Sequence, residues 1–320
     1  MLGFVHLSES HPSLSMPRTL AVRTALFCLL AALPLASEAQ SPTPLLTPES
    51  ALPAQKTALV FGQKIAYYEA GSGPTIVLVH GFASQARFDW GHVILPLAEH
   101  HHVLALDQVG FGQSAKPLFD YSIQTFVDFL GEFLRVQHVQ QFTLAGESLG
   151  GWISALYIIE ALDAKNIGPY ALPKPSRLIL EDAAGMAPLP STGASYPVTG
   201  TLADAKGVAI VFHDKALVTE DFVRDNFTMK LAANDGFTER SVWSNPKIAG
   251  EVVKDRLAAI TIPTLVVWGG SDGIIPLDAG KAYAAGIPGA QLAIIPDCGH
   301  GPSIEKPKEF LAAVLPFLDK

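Results

Sequence analysis

A serine lies at the centre of a glycine-flanked pentapeptide. Residues 146–150 read Gly-Glu-Ser-Leu-Gly, with the apolar stretch Phe142–Ala145 before them and a helical pattern from about Trp152 after them. A sharp turn from a strand into a helix strains its central residue and leaves no space for side chains at its glycines. Such a turn would lift the Ser148 hydroxyl clear of a sheet and aim a helix N-terminus at it. The pentapeptide alone is a weak signal, but its flanking elements supply the context it needs.

A serine hydroxyl is a poor nucleophile at neutral pH, so Ser148 needs a base. His300 is the leading candidate because it follows the apolar stretch Gln291–Ile295 and has a glycine on each side. The histidines at positions 92, 100–102, 138 and 213 have no comparable place at the end of a strand. We therefore expect His300 to be delivered to Ser148 by a loop at the edge of the sheet.

The base in turn needs an acid that fixes its tautomer and stabilises the imidazolium. Asp272 is favoured, since it lies in a glycine-rich loop just after the apolar stretch Leu265–Trp268. The rival is Asp182, which follows the preceding stretch Arg177–Glu181. The sequence leaves both acids open, with Asp272 preferred.

An oxyanion needs backbone donors close to the nucleophile. The stretch Thr75–Val79 runs into His80-Gly81-Phe82-Ala83, a turn that would direct the Phe82 amide inward, where it could pair with the amide of Leu149. Each such donor stabilises a transition state by roughly 3–4 kcal/mol. The ring of His80 is expected to brace this turn and to move no proton.

The candidate residues follow short apolar strands that alternate with helices. Uninterrupted apolar strands are typical of a sheet covered on both faces, and strand–helix alternation predicts a mostly parallel sheet with right-handed crossovers. A hairpin around Gly62-Gln63 is expected to precede it. The predicted strands are Ala58–Phe61, Lys64–Glu69, Thr75–Val79, Val103–Asp107, Gln141–Gly146, Arg177–Glu181, Pro263–Trp268 and Gln291–Ile295. Helices are expected near 122–138, 149–162, 277–285 and 306–318.

One long stretch interrupts this alternation. Residues 187–261 open with Pro, Ser, Thr and Gly and then resemble several helices, as expected for a cap inserted into a sheet domain. The predicted core is therefore 57–186 together with 262–320. The cap carries apolar residues that could line an acyl or alcohol pocket or could merely pack the cap on the core. They are Phe212, Phe222, Phe227, Met229 and Phe237.

The N-terminal 39 residues resemble a secretory signal peptide. Arg18 and Arg23 precede the uncharged apolar run Thr24–Ala36, and small residues then frame a cleavage site after Ala39. The run is shorter than the 20 or so residues that span a bilayer. We expect a secreted or periplasmic protein with no stable membrane span once the signal is removed. A start at Met16 would give a more ordinary signal length, and residues 40–56 are predicted to form a flexible leader.

The composition indicates a folded protein with a sizeable core and argues against several kinds of function. The chain has 320 residues, of which 49% are hydrophobic and 16% charged, enough for a sizeable core. Its net charge of −8 argues against a general nucleic-acid binder. Cys28 lies in the predicted signal and Cys298 is then alone, which excludes an intramolecular disulfide and a cysteine metal cluster in the mature chain.

These motifs, in this order over about residues 57–320, resemble the capped α/β-hydrolases that include bacterial esterases and meta-cleavage-product hydrolases. His80-Gly81-Phe82 matches the family's oxyanion motif and residues 146–151 its nucleophile turn. The segment Asp107–Ser114 matches a structural turn, while Asp272 and His300 match the acid and the base. The resemblance implies an α/β-hydrolase fold. That fold has a mostly parallel eight-stranded sheet flanked by helices, with a helical cap inserted before the strand that precedes the catalytic acid.

The same resemblance limits the chemistry. Epoxide hydrolases and haloalkane dehalogenases of this fold use aspartate as nucleophile, so Ser148 argues against both. We expect hydrolysis of a small, apolar carboxylic ester through an acyl-enzyme, without metal or organic cofactor. C–C bond hydrolysis and perhydrolysis with the same triad remain alternatives, although the loop His-Gly-Phe-Ala-Ser-Gln-Ala departs from the Gly-Pro-Gly loop usual in meta-cleavage hydrolases. Amidase, lactonase or thioesterase action also remains open, and a non-catalytic member is disfavoured because the triad is intact. The natural substrate and the oligomeric state are not specified by the sequence.

Overall fold

The computed structural model describes residues 45–189 and 196–319. The predicted signal peptide and the first residues of the predicted leader lie outside the described residues. No helix among the described residues is both long and apolar enough to cross a bilayer.

The fold is built on one eight-stranded sheet, which confirms the predicted α/β-hydrolase architecture. Its spatial order is β1-β2-β4-β3-β5-β6-β7-β8, and the strands from β3 to β8 are parallel, while β2 pairs antiparallel with both β1 and β4. The strands are β1 Lys56–Val60, β2 Gln63–Ala70, β3 Thr75–Val79, β4 His102–Leu106, β5 Phe142–Glu147, β6 Arg177–Glu181, β7 Thr264–Gly269 and β8 Gln291–Ile295.

Helices cover both faces of the sheet. On one face, apolar side chains of β3 and β5 pack with α2 and α3, and on the other face they pack with α1 and α9. The central strands are therefore buried on both sides, as their continuous apolar sequences require. The helices of the core are α1 Ala86–Ala98, α2 Ile123–Val136, α3 Leu149–Leu162, α7 Leu277–Gly286, α8 Pro302–Glu305 and α9 Pro307–Leu318.

The segment between β6 and β7 forms several short helices from Leu202 onward. Its α-helices are α4 Leu202–Ala205, α5 Glu220–Ala233 and α6 Gly236–Ser244, and its 3₁₀ turns are Lys206–Val211, Lys215–Leu217, Pro246–Glu251 and Lys254–Ala259. We call residues 196–261 the cap. The cap is hydrogen-bonded to loops of the core, for example where the Val211 carbonyl accepts from the His300 amide and where the Tyr121 amide donates to Ser241 Oγ.

Residues 45–52 differ from the flexible leader predicted for them. Leu46 and Leu52 are buried, and Leu46 packs in a cluster with Phe88 of α1 and Phe222 of the cap. The ring of His92 holds the segment in place, because its Nε2 lies 2.8 Å from the Leu45 carbonyl and its Nδ1 lies 3.2 Å from Thr47 Oγ1. Composition rich in proline and serine indicated a solvated linker, but the two leucines bury enough apolar surface to order it.

Candidate active site

Ser148 lies at the junction of β5 and α3 with a backbone that few side chains adopt. Its φ is 49° and its ψ is −115°. The end of β6 holds this conformation, because the Ser148 amide donates to the Glu181 carbonyl at 2.9 Å and the Ser148 carbonyl accepts from the Ala184 amide at 2.9 Å. Strain of this kind persists only where neighbours impose it and is concentrated at functional sites.

The glycines around Ser148 are required by close approach. A Cβ on Gly146 would lie 2.2 Å from the Gly150 carbonyl oxygen, and one on Gly150 would lie 2.1 Å from the Val79 carbonyl oxygen. A Cβ on Gly81 would lie 3.1 Å from the Cβ of Ser148. The loop that follows β3 therefore packs directly against the serine, as the oxyanion interpretation of the sequence requires.

His300 and Asp272 form a hydrogen-bonded pair. His300 Nδ1 lies 2.7 Å from Asp272 Oδ2, and both side chains are almost completely buried. The other oxygen of Asp272 accepts hydrogen bonds from the Ile274 and Ile275 amides at 2.7 and 2.9 Å. These bonds hold the carboxylate in place, and the carboxylate in turn orients the imidazole. The nitrogen bonded to Asp272 is Nδ1, which leaves Nε2 for another partner.

The pKa of His300 is raised above its ordinary value. Burial by itself lowers that pKa, but the hydrogen bond to Asp272 and the negative charges of Asp182 and Asp272 outweigh the burial. An imidazolium formed at this site is therefore stabilised, which is what a base that takes up a proton during a reaction needs.

Asp182, the alternative candidate for the acid, is hydrogen-bonded to two backbone amides. Its Oδ1 accepts a hydrogen bond from the Gly269 amide and its Oδ2 one from the Gly301 amide, both at 2.8 Å. It thus ties together the loops that carry Asp272 and His300, while Asp272 alone is hydrogen-bonded to the imidazole. Burial raises the pKa of Asp182 well above its ordinary value, against the opposing effect of His300.

Asp182, Asp272 and His300 also bring ligand-type atoms within 4.8 Å of one another. A metal ion there would have to compete for oxygens and a nitrogen that already take part in hydrogen bonds. Both oxygens of Asp182 accept backbone N–H groups, and the Asp272 carboxylate is held by His300 and two amides. The arrangement is that of a hydrogen-bonded acid–base pair with a supporting carboxyl.

Two backbone amides next to Ser148 are free to donate. Within the described residues, neither the Phe82 amide nor the Leu149 amide donates a hydrogen bond to another protein group. Phe82 lies on the loop that packs on Ser148, and Leu149 is the first residue of α3. The ring of Phe82 packs edge-on against Tyr196 of the cap, with a centroid separation of 5.0 Å, and 6.1 Å from Trp243.

His80 braces the turn after β3. Its Nε2 accepts a hydrogen bond from the Gln108 amide at 2.9 Å, so Nδ1 carries the proton and donates to the Gly81 carbonyl at 2.8 Å. The Gln108 side chain closes the arrangement by donating to the His80 carbonyl. Both ring nitrogens thus make hydrogen bonds to backbone groups, as expected of a structural histidine.

Glu147, the second residue of the pentapeptide, is a site residue that its sequence position did not single out. Its Oε1 lies 3.2 Å from His300 Nε2, and its side chain is buried. Burial, followed by the charges of Asp89 and Glu181, raises its pKa well above the ordinary value, which favours the neutral form of the carboxyl. Any residue fits the second place of the motif, so only the folded structure shows this contact.

The sequence leaves two roles open for the apolar cap residues, and for three of them the structure shows packing of the cap on the core. Phe212, Phe222 and Met229 are buried in a cluster with Leu46 and Phe88, which packs the cap on the core. Phe237 is 43% exposed. Tyr196 and Trp243, which the sequence pattern did not single out, are cap aromatic residues whose rings contact Phe82 in the loop after β3.

Known proteins share this architecture. The chain is 26% identical to a 2-hydroxy-6-oxo-6-(2'-aminophenyl)hexa-2,4-dienoic acid hydrolase of Metapseudomonas resinovorans, over 81% of this chain and 89% of that protein. Among solved structures, it superposes on a serine hydrolase involved in carbazole degradation with a TM-score of 0.70 and 25% identity, over 83% of this chain and 98% of that chain.

It also superposes on a membrane phospholipase A described as a bacterial virulence factor, with a TM-score of 0.65 and 27% identity over 83% of this chain and 86% of that chain. Residues 76–314 match the model of the alpha/beta hydrolase family. This match extends over well over half of the chain, and the chain therefore belongs to the alpha/beta hydrolase family.

Proposed function

We propose that this hydrolase cleaves small carboxylic esters through an acyl-enzyme on Ser148. The observation that carries the proposal is the buried pair of His300 and Asp272, 2.7 Å apart, in the same site as a serine held at positive φ. A buried imidazole oriented by a carboxylate is what converts a serine hydroxyl into a nucleophile.

In the proposed reaction, Ser148 Oγ attacks the ester carbonyl carbon while its proton passes to His300 Nε2. The amides of Phe82 and Leu149 donate to the oxyanion of the tetrahedral intermediate. His300 then gives the proton to the leaving alkoxide, which departs as the alcohol. Water attacks the acyl-enzyme in the same way, so the products are the acid, the alcohol and free Ser148. Asp272 stays ionised and stabilises the imidazolium throughout.

A series of p-nitrophenyl esters from acetate to dodecanoate tests the proposal. The wild-type protein should turn over at least one of them, and Ser148→Ala should lower kcat at least about 10⁴-fold. Ser244→Ala is the matched control, because among the described residues that exposed hydroxyl donates a hydrogen bond only to the Arg240 carbonyl in the cap. Retention of ester turnover in Ser148→Ala would overturn the assignment of the nucleophile.

A second candidate is hydrolysis of a C–C bond. What favours it is the 26% identity to the dienoic acid hydrolase over most of both chains. The same enzyme preparation should be assayed with 2-hydroxy-6-oxo-6-(2'-aminophenyl)hexa-2,4-dienoic acid. If its kcat/KM exceeds that of every ester by tenfold or more, C–C hydrolysis is the primary activity and ester cleavage a side reaction of the same triad.

We also propose that the protein is exported. The support is the order of Arg18 and Arg23, the apolar run Thr24–Ala36 and the small residues before position 40. Expression in a bacterial host followed by N-terminal sequencing of the periplasmic and culture fractions should recover a chain that starts at Gln40. A chain that stays in the cytoplasm and keeps Arg18 would contradict the proposal.

A further inference from the structure

A largely buried lysine of the cap contacts residues 80–85, the loop between β3 and α1 that carries the proposed oxyanion donor Phe82. Lys230 Nζ, near the end of α5, lies 3.0 Å from the Ala83 carbonyl oxygen. Ala83 follows the proposed oxyanion donor Phe82 directly and has a φ of 56°, which is uncommon for a residue with a Cβ. The cap therefore donates a charged hydrogen bond to the backbone of the loop at its strained residue.

Two acids of the cap hold the ammonium in place. Asp235, which precedes α6, contacts Lys230 Nζ through both oxygens at 2.9 and 3.1 Å, and Glu239 Oε1 contacts it as well. The side chains of Lys230, Asp235 and Glu239 are 10%, 3% and 1% exposed. An ammonium has three N–H donors, so this set occupies all of them and directs one at Ala83.

The same loop is held from the core by Asp89 of α1. Asp89 Oδ2 accepts a hydrogen bond from the Gly81 amide at 2.7 Å, and Oδ1 accepts one from Ser84 Oγ at 2.5 Å. Residues 81 and 84 are thus tied to the core, and residue 83 is tied to the cap. Phe82 lies between these ties, and its ring packs on Tyr196 and Trp243 of the cap.

Cap stability alone does not explain this arrangement. Removing three charges from water is expensive, and replacing a buried ion cluster with apolar residues of similar volume is often neutral or stabilising. A cap held only for stability needs no cation directed at a loop carbonyl. The ammonium does fix the 83–84 peptide plane, which limits how the loop can rotate at Ala83.

We propose that Lys230 is a positioning residue for the oxyanion hole, which makes the placement of the Phe82 amide depend on the docked cap. The proposal rests on the proposed function, because Phe82 is an oxyanion donor only if Ser148 is acylated. Loss of one oxyanion donor lowers kcat by about 10²–10³-fold. A donor that is displaced but still present should lower kcat by about 10–100-fold, with KM within about threefold.

The test compares two variants that both lack the two acids of the cluster and differ only at Lys230. Asp235→Asn/Glu239→Gln removes both acids and keeps the Lys230 donor, while Lys230→Met/Asp235→Asn/Glu239→Gln removes the donor as well. The single variant Lys230→Met would leave two acids buried without a cation and could unfold the cap. Circular dichroism and thermal unfolding establish that the double and triple variants are folded to the same extent.

Two readouts are measured on this pair. One is the change in kcat and the change in KM, determined separately, for hydrolysis of a p-nitrophenyl ester. The other is the Kd of phenylboronic acid, whose tetrahedral adduct with Ser148 places a hydroxyl in the oxyanion hole without turnover. The triple variant should show a kcat about 10–100-fold below that of the double variant, a similar KM, and a Kd for the boronic acid raised about tenfold or more.

Equal kcat and equal boronic acid affinity in the two variants would overturn the role of Lys230, whichever substrate the enzyme uses. A raised KM with unchanged kcat would overturn it too, because it would place Lys230 in substrate binding. Absence of ester turnover in the wild-type protein contradicts the proposed function instead. In that case the boronic acid comparison still decides the role of Lys230.

Discussion

Glu147 Oε1 lies 3.2 Å from His300 Nε2, the nitrogen that takes the proton of Ser148 in the proposed mechanism. Within the described residues, Ser148 Oγ makes no hydrogen bond to His300, although Glu147 and Ser148 are adjacent in the chain. A neutral Glu147 carboxyl, which its raised pKa favours, would be able to donate to the free lone pair of the imidazole. A neutral Glu147 would then compete with Ser148 for Nε2, and a bound substrate would have to favour Ser148. Catalytic hydrogen bonds often form fully only when substrate is present.

Glu147→Gln tests whether Glu147 is neutral in the active enzyme. The amide is also uncharged and also able to donate to Nε2, so the acidic limb of the kcat/KM–pH profile should move by less than about 0.3 unit. That limb reports His300 in the free enzyme and should lie above the ordinary pKa of 6.5, given the raised pKa of this residue.

An ionised Glu147 would give a different result. Its negative charge would help to hold the proton on His300, so its removal in Glu147→Gln would shift the acidic limb to lower pH by about one unit or more. Such a shift would contradict the neutral carboxyl. Glu251→Gln is a suitable control, since that carboxylate caps the first amides of α2, away from His300.

Asp272 and Asp182 should differ sharply when each is changed to asparagine. Asp272→Asn removes the partner of His300 Nδ1 and should lower kcat by about 10³–10⁴-fold. It should also move the acidic limb to lower pH, because the hydrogen bond and charge of Asp272 raise the pKa of His300.

Asp182→Asn leaves the pair of His300 and Asp272 intact but replaces one acceptor by an amide group that faces a backbone N–H. The free energy of unfolding should fall by about 1–3 kcal/mol, and kcat should fall less than tenfold. Urea unfolding and ester kinetics on both variants separate the two roles. A larger loss of kcat in Asp182→Asn than in Asp272→Asn would reverse the assignment of the acid.

Much of this site follows from local sequence, because each candidate residue comes just after an apolar strand. Ser148, Asp272 and His300 could be predicted to lie close together, because parallel strands end at one edge of a sheet, where their loops meet. Helix α1 could not be predicted from the spacing of its apolar residues, because its buried residues lie on several sides and leave no apolar stripe.

Contacts made by the cap could not be predicted in this way. The position of Lys230 beside Ala83 depends on how two helices pack on a loop nearly 150 residues earlier in the chain. Glu147 has the same limitation, since its contact with His300 forms only when loops after β5 and β8 converge. The burial of Leu46 could not be predicted, because two leucines in a proline-rich stretch form no periodic pattern.

Glu181 makes stability depend on pH. Glu181 lies beside Ser148, whose amide donates to its carbonyl, and its side chain is buried. Burial raises its pKa to about 8, while hydrogen bonds from Ser303 oppose the rise. The unfolded chain loses this proton near its ordinary pKa, so the folded state binds more protons between about pH 4.5 and 8. Stability contributed by this group is therefore complete at low pH and is lost as the pH rises through that window.

Glu181→Gln removes this dependence, because the amide has no proton to lose and its oxygen can still accept from the Ser303 amide. The melting temperature of the variant relative to wild type should rise between pH 5 and pH 9, by about 5 °C or more. Differential scanning calorimetry in matched buffers provides the measurement. A difference that stays constant over this range would show that Glu181 titrates normally.

Leu46 should couple the leader to the cap. Its side chain is 7% exposed and packs in the cluster with Phe88 and Phe222, so Leu46→Ala removes buried methyl groups at the point where leader, core and cap meet. The free energy of unfolding should fall by about 2–4 kcal/mol. Leu59→Ala is the matched control, since Leu59 lies on β1 with 69% of its surface exposed and should change stability by less than about 0.5 kcal/mol.

Limited proteolysis distinguishes a loosened cap from general destabilisation. In Leu46→Ala, the first cleavages should fall within residues 202–233, because the cap helices α4 and α5 lose a packing partner before the sheet opens. Mass spectrometry of the early fragments locates the cuts. If the first cuts instead fall within the core, or if Leu59→Ala is equally destabilised, the leader does not hold the cap.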